Sequence, residues 1–186
     1  MGERSLADLD SEFVFGRADA ALLAELKEFW LKHDDAYRSE LLACRPLPQG
    51  DEGSQRTAQR AIRRQPGAIV REAGGTIVGV VFVVLREIDP DLDLGSHAYF
   101  LRIYSSYKGR SLKRASQLFK TFLIGFDAAA EFRDHRAKVL LAQNINVRLH
   151  TAYVRKYLVR QGFRMLGHNT LGSEIWSRNL YTRFLF

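Results

Sequence analysis

The chain has 186 residues, of which 46% are hydrophobic and 26% are charged. This length suits one well-buried domain and is short for two. The composition is that of a soluble globular protein. The longest apolar run, residues 76–85, is about half of what a membrane-spanning helix needs, and the acidic first ten residues lack the apolar core of a secretory signal. We therefore predict a soluble cytoplasmic protein with no membrane partner.

The net charge of +7 is unevenly distributed along the chain. Residues 1–100 hold 12 Lys and Arg against 17 Asp and Glu, whereas residues 101–186 hold 16 against 4. This asymmetry indicates an anionic partner for the second half, whether a nucleotide cofactor, a nucleic acid or an acidic protein. The only cysteine, Cys44, excludes an internal disulfide and a thiolate-based zinc site.

The first half of the chain predicts a mixture of helices and strands. In chain order these are a strand at 11–16, helices at 17–33, 36–43 and 55–65, and a hairpin of strands at 68–72 and 76–86. Asp19 is the expected N-cap of the first helix, and Pro66-Gly67 is expected to end the third. The strand at 76–86 is continuously apolar, which is typical of a strand buried on both faces.

The second half alternates strands with helices. It predicts strands at 97–104, 138–142, 163–167 and 174–180 and helices at 111–126 and 147–161. The first of these helices has an apolar stripe formed by Leu112, Ala115, Leu118, Phe119, Phe122, Leu123 and Phe126. The strands on either side of the helix at 111–126 must pair in parallel. We therefore predict an α/β (α+β) fold. In it, helices cover both faces of a mixed, mostly antiparallel central sheet in a single domain, residues 1–186.

The junction between the strand at 97–104 and the next helix has the pattern of an anion site. A tight turn at Gly109 opens the helix, whose first amides are unpaired and whose dipole favours negative charge. Phosphates bind at such helix starts. Lys108, Arg110 and Lys113 add full charges, and Gly109 lets the backbone approach a ligand. These cations also fit an ordinary solvated helix face, but their position at the junction favours phosphate binding.

Residues 106–111 resemble the acyl-coenzyme A signature of the GNAT (Gcn5-related N-acetyltransferase) superfamily, written (Gln/Arg)-x-x-Gly-x-(Gly/Ala). A second resemblance lies at residues 158–163, where Gly162 is expected to cap the last helix and Phe163 to start the next strand. The likeness covers residues 68–180. It includes the acyl-CoA motif region, 97–126, and the C-terminal helix–strand region, 138–180.

The resemblance implies acetyl-CoA, or another acyl-CoA, as cofactor. Leu101 and Ile103 would then offer backbone groups to the pantetheine arm, as an added strand would. The pyrophosphate would be held by Lys108, Gly109, Arg110, Ser111, Leu112 and Lys113. Thr151 takes the place of an asparagine that is frequent in the family. Asn144, with Asn146, either contacts the cofactor or starts the helix at residue 147.

Acyl transfer to an amine needs a base for the amine and an acid for the leaving thiolate. His97 and Glu87 flank the loop before the motif strand and are the available bases. The position of the family's tyrosine acid is Leu158, so Tyr157 is the nearest acid. Each residue also has a structural interpretation, because His97 fits an exposed strand end and Tyr157 fits the core.

We therefore predict an acyl-CoA-dependent N-acyltransferase in which the acceptor amine attacks the thioester directly. The alternative is a GNAT-like binding module without catalysis, whose basic C-terminal half binds RNA or an acidic protein. Departures from the motif at Ser106 and Ser111 favour that alternative. The acceptor and the oligomeric state, a dimer included, stay open. No metal site is expected: the acidic loop that begins at Asp89 has Leu94 and Phe100 where a calcium loop needs Gly and Glu.

Overall fold

The computed structural model describes residues 10–43, 64–107 and 110–181. Three of the residues singled out above, Cys44, Lys108 and Gly109, lie outside these ranges. The predicted helix at 55–65 also lies outside them, apart from its last two residues.

The described residues form a seven-stranded sheet and three α-helices. The elements are β1 Ser11–Phe13, α1 Ala20–Ala43, β2 Gln65–Arg71, β3 Ile77–Glu87, β4 His97–Ser105, α2 Leu112–Ala128, β5 Ala137–Asn144, α3 Ala152–Arg160, β6 Arg164–His168 and β7 Glu174–Asn179. The strand order is β1-β2-β3-β4-β5-β7-β6. Strands β4 and β5 are parallel, whereas β1/β2, β5/β7 and β6/β7 are antiparallel. The predicted mixed sheet with one parallel strand–helix–strand unit is confirmed.

Two local predictions in the first half are wrong. The separate helices expected at 17–33 and 36–43 form the single helix α1, because the polar residues between them interrupt the apolar repeat without breaking the backbone. The strand expected from residue 68 begins at Gln65, so Pro66 and Gly67 lie inside β2, at the start of a strand, where proline is tolerated. The Asp19 cap is confirmed, since its carboxylate accepts from the Leu22 amide at 2.8 Å.

The contacts divide the chain into two compact units. The first unit contains Met1–Asp34, Gln65–Phe82 and Ile103–Phe132. The second unit contains Asp35–Arg64, Val83–Arg102 and Arg133–Phe186.

Helices cover both faces of the sheet in the first unit. On one face, a Cβ on Gly67 would lie 2.5 Å from the ring of Phe122, so glycine permits the close approach of α2 there, and a Cβ on Gly79 would be in ordinary contact with Leu118 at 3.4 Å. On the other face, Trp30 of α1 meets Phe82 edge-on at 5.6 Å. Gly79 and Phe82 are three residues apart on β3 and therefore point to opposite faces.

The apolar stripe of α2 is shorter than expected. Leu118, Phe119, Phe122, Leu123 and Phe126 are buried as predicted, whereas Leu112 is 68% exposed. Leu112 is the first helical residue, so its side chain lies before the packed turns. In the second unit, Leu94, Ala98, Val139 and Leu141 form a buried cluster on β4, β5 and the loop before β4. Among the described residues, no helix has both the length and the apolar character needed to span a membrane.

Candidate functional site

Hydrogen bonds fix the described residues on either side of positions 108–109, between β4 and α2. The Ser106 amide donates to the Val78 carbonyl at 2.9 Å, and Arg110 Nε donates to the Ser105 carbonyl at 3.1 Å. The Arg110 guanidinium also lies 5.9 Å from the centroid of the buried Tyr104 ring. Arg110, a predicted phosphate ligand, is thus bonded to the last residue of β4.

The start of α2 shows why serine is tolerated where the family signature has Gly or Ala. Ser111 is the N-cap, and its hydroxyl accepts from the Arg114 amide at 3.1 Å. The amides of Leu112 and Lys113 precede that bond and have no intrahelical acceptor. Their positions are exposed, so the helix start retains the capacity to bind an anion.

The parallel ladder between β4 and β5 is shorter than either strand. Its register runs from His97↔Ala137, with an irregularity before Ala98, to Leu101↔Ala142. Strand β4 continues for four more residues to Ser105, and β5 continues for two to Asn144. Leu101, predicted to contact pantetheine, is therefore the last ladder residue of β4, and Ile103 lies beyond it.

Arg102 occupies the first position of β4 past the ladder. It donates to the backbone carbonyl of Gln143 at 3.3 Å and to its side-chain oxygen at 2.5 Å. The sequence argument missed this residue, although a single cation within the apolar segment 98–104 is the signal that could have identified it.

The two predicted catalytic residues occupy different elements. His97 is the first residue of β4, half-buried, with Nδ1 3.0 Å from the Ser96 hydroxyl. It lies four residues from Leu101, which is about 13 Å along a strand, and about 26 Å from Ser105 at the other end. Tyr157 is half-buried on α3. The chain of β4 thus places His97 far from the turn that precedes α2.

The end of α3 agrees with the prediction made for Gly162. This glycine has a φ of 81°. Its amide donates to the Val159 carbonyl at 2.9 Å, and the Phe163 amide donates to the Leu158 carbonyl at 3.0 Å. This is the Schellman pattern, which requires a residue that tolerates positive φ. Leu158 and Phe163 are both buried, so the position at which the resemblance predicts a tyrosine holds a core leucine.

The start of α3 differs from the prediction. The expected helix at 147–161 is divided into a 3-10 turn, Val147–Leu149, and α3 proper. The division has a local cause, because two residues cap in succession. Asn146 accepts from the Arg148 amide at 3.0 Å, and Thr151 accepts from the Val154 amide at 3.3 Å. Asn146 therefore starts the turn, and Thr151, a predicted cofactor residue, is the N-cap of α3.

A buried carboxylate joins the strands beside α3. Glu174 is fully buried and lies opposite Asn144 on β5 and His168 on β6. One of its oxygens accepts from Arg155 at 2.7 Å. The other accepts from Asn144 Nδ2 at 3.2 Å and from Trp176 Nε1 at 3.1 Å.

The protonation of Glu174 follows from two opposing effects. Burial raises the pKa of Glu174, but hydrogen bonds from Arg155, Trp176 and Asn144 outweigh burial and hold the pKa below its ordinary value. Sequence reasoning missed Glu174, although it is the only acidic side chain in residues 135–186. Asn144, another predicted cofactor residue, is also bonded internally, because its Nδ2 donates to the Leu149 carbonyl at 3.2 Å.

Comparison with known proteins supports the fold. No protein-family model matches the sequence, and no curated protein matches it. Among solved structures, the chain is similar to YncA of Salmonella typhimurium, assigned as an acetyltransferase and solved with its cofactor acetyl-CoA. The identity is 13%, the TM-score is 0.54, and the match covers 95% of this chain and 96% of that one.

Two further structures give the same result. A phosphinothricin acetyltransferase of the GNAT superfamily from Sinorhizobium meliloti, in complex with acetyl-CoA, matches at 12% identity and TM-score 0.53, covering 92% of this chain and 88% of that one. A protein assigned as a phosphinothricin N-acetyltransferase matches at 14% identity and TM-score 0.53, and the match covers 94% of this chain and 100% of that one. This chain therefore has the GNAT fold, as its motif predicted.

Proposed function

We propose that this protein is an acyl-CoA-dependent N-acyltransferase that transfers an acetyl group from acetyl-CoA to an amine by direct attack. The observation that carries the proposal is the early end of the β4–β5 ladder at Leu101↔Ala142, while β4 runs on to the turn before α2. Two structures of the same fold are described with acetyl-CoA, which supports this choice of cofactor.

The chemistry of the described residues fits such a cofactor. At the phosphate end, the amides of Leu112 and Lys113 have no intrahelical acceptor and favour an anion. The Lys113 ammonium is exposed, and no partner for it exists among residues 10–43, 64–107 and 110–181. At the pantetheine end, the backbone of β4 beyond Leu101 is no longer paired with β5, so it can bond to the amides of an added strand-like ligand.

Bound acetyl-CoA supplies an acetyl thioester, and the protein supplies position and polarisation. Backbone amides of β4 aimed at the thioester carbonyl would stabilise the negative charge that develops on its oxygen. A base must also act within hydrogen-bond reach or through one water. His97 lies about 13 Å along β4 from Leu101, so it can serve as the base only if the thioester carbonyl is held near the amino end of β4 and not beyond Leu101. Tyr157 is proposed as the acid for the thiolate.

The first experiment measures cofactor binding. Acetyl-CoA at a hundredfold excess over its Kd should stabilise the fold by about 2.7 kcal/mol and raise Tm by several degrees. Lys113→Glu should weaken binding about tenfold or more, because it places a negative charge at the helix start. Lys120→Glu, an exposed lysine further along α2, is the matched control and should bind normally. No Tm shift with acetyl-CoA, longer acyl-CoAs or free CoA would refute the proposal.

The second experiment measures turnover as release of free CoA in the presence of a panel of amines. Tyr157→Phe should lower kcat about a hundredfold while leaving the acetyl-CoA Kd unchanged, as expected for loss of a general acid. Tyr153→Phe removes the exposed hydroxyl one turn earlier on α3 and should be neutral. An unchanged kcat for Tyr157→Phe would mean that the thiolate leaves without that acid.

A further inference from the structure

The surface contributed by residues 135–181 carries one sign of charge. Glu174 is the only carboxylate in this stretch, and it is fully buried and bonded to Arg155. The exposed charged side chains there are all cations: Arg136, Lys138, Arg148, Arg155, Lys156, Arg160 and Arg164. Arg155 is paired with Glu174 and Arg136 with Asp134, just before the stretch, so the other five have no carboxylate partner among the described residues. Protein surfaces ordinarily intersperse both signs, so this surface fits an anionic partner.

The exposed face of α3 brings together two of these cations and an aromatic ring. At 100° per residue, Tyr153, Lys156 and Arg160 fall within about 60° of one another, opposite the buried Leu158. Lys156 and Arg160 are one turn apart, about 6 Å along the helix. We call Tyr153, Lys156 and Arg160 the Tyr153 face.

The side chains of the Tyr153 face are available for binding. Tyr153 is 74% exposed. In the described part of the chain, none of the three side chains forms a hydrogen bond or an ion pair, and the same holds for the exposed Arg148 just before α3. Arg155, by contrast, is held by Glu174, so it does not belong to this face.

We propose that the Tyr153 face, together with Arg148, binds single-stranded RNA. The cations pair with successive phosphates, and an exposed tyrosine among them offers a surface on which a base can stack. An acidic peptide would use the cations but would gain nothing comparable from the ring, so Tyr153 favours a nucleic acid. The proposal does not depend on acyl transfer.

The test is the binding of a fluorescently labelled, mixed-sequence single-stranded RNA, followed by anisotropy between 50 and 200 mM salt. Three phosphate contacts predict a loss of affinity of about twentyfold over that range. Lys156→Glu with Arg160→Glu should lower affinity tenfold or more and flatten the salt response. Tyr153→Ala should lower affinity about fivefold or more with the salt response unchanged, because stacking releases no counterions.

The control is Lys27→Glu with Lys120→Glu, which makes the same change of net charge at two exposed lysines of the first unit. It should bind RNA almost normally, and all variants should keep the increase in Tm that acetyl-CoA causes. An equal loss in the control would reduce the effect to bulk charge and overturn the proposal. The proposal would also be overturned if Tyr153→Ala bound RNA with unaltered affinity or if polyglutamate competed as effectively as unlabelled RNA. Absence of RNA binding at 50 mM salt would overturn it too.

Discussion

Helices α2 and α3 begin in the same way and are held in place differently. Each follows a strand of the parallel pair and is capped by a hydroxyl that accepts from the third helical amide, at 3.1 Å for Ser111 and 3.3 Å for Thr151. Helix α2 has 17 residues and five buried apolar side chains, whereas α3 has nine residues and buries only Leu158. Instead, Arg155 of α3 binds the buried Glu174.

The difference follows from length. Each fully buried large apolar side chain contributes about 1.5–3 kcal/mol, so five of them fix α2 strongly. A nine-residue helix with one buried leucine lacks that contribution. Its Arg155–Glu174 pair adds little net stability compared with apolar packing, but the buried Glu174 carboxylate would be costly to leave without its charged partner. The placement of α3 therefore depends on a few polar groups, and that of α2 on its apolar face.

The largest expected effect is on the packing of α2. Phe122 is fully buried, and its ring lies 4.9 Å from that of Phe126. Phe122→Ala should lower the free energy of unfolding by about 3–5 kcal/mol, measured by urea denaturation. Ile124→Ala, at a 62% exposed position on the same helix, should cost about 0.5 kcal/mol or less. Similar losses in both variants would show that the apolar face does not anchor α2.

The next effect concerns the polar anchor of α3. Glu174→Gln keeps the shape but removes the charge that faces Arg155, Trp176 and Asn144. It should cost about 2 kcal/mol, because Trp176 and Asn144 lose a charged acceptor, whereas the Arg155 side chain is 45% exposed and can be solvated. Glu25→Gln makes the same substitution in the exposed ion pair with Arg71, where the cost should stay under about 1 kcal/mol. Equal, small losses would mean that Glu174 does not hold α3.

These two anchors also show what the sequence could predict. The buried face of α2, the burial of β3 from Ile77 to Val83, and the closing turn at Gly162 follow from local periodicity and spacing, and each was predicted. The GNAT fold followed from the order of these elements together with a short motif. Local patterns of this kind carry their own evidence, because the residues that interact lie within a few positions of one another.

The features that sequence reasoning missed depend on distant partners. Glu174 and Asn144 are 30 residues apart, and Arg102 and Gln143 are 41 apart. No periodicity connects such pairs, so a lone charge in an apolar strand is the only sign. The two-helix prediction for α1 was wrong for another reason, since Asp34 and Asp35 interrupt the pattern without preventing a helix.

A smaller effect separates the two caps. Ser111→Ala and Thr151→Ala should each cost about 1 kcal/mol, because each leaves one helical amide without its acceptor. Only Ser111→Ala frees an amide at the proposed phosphate site, so acetyl-CoA affinity should stay equal or rise a few-fold in that variant. Thr151→Ala should leave affinity unchanged if Thr151 is only a cap. A loss of acetyl-CoA affinity in Thr151→Ala would instead support the predicted contact of Thr151 with the cofactor.

The smallest expected effect is the pH dependence of the Glu174 anchor. The pKa of Glu174 is held below its ordinary value in the folded state, so the unfolded state binds more protons as the pH falls. The stability due to this carboxylate is therefore fully present above the unfolded pKa of about 4.3 and is lost as the pH falls through the folded pKa. The difference in unfolding free energy between wild type and Glu174→Gln should be constant from pH 7 to 5 and should narrow below about pH 4.3. Urea denaturation at each pH measures it, with Glu25→Gln as the variant that also loses one carboxylate. A difference that stays constant into acid would show that Arg155, Trp176 and Asn144 bind the protonated group as well as the carboxylate.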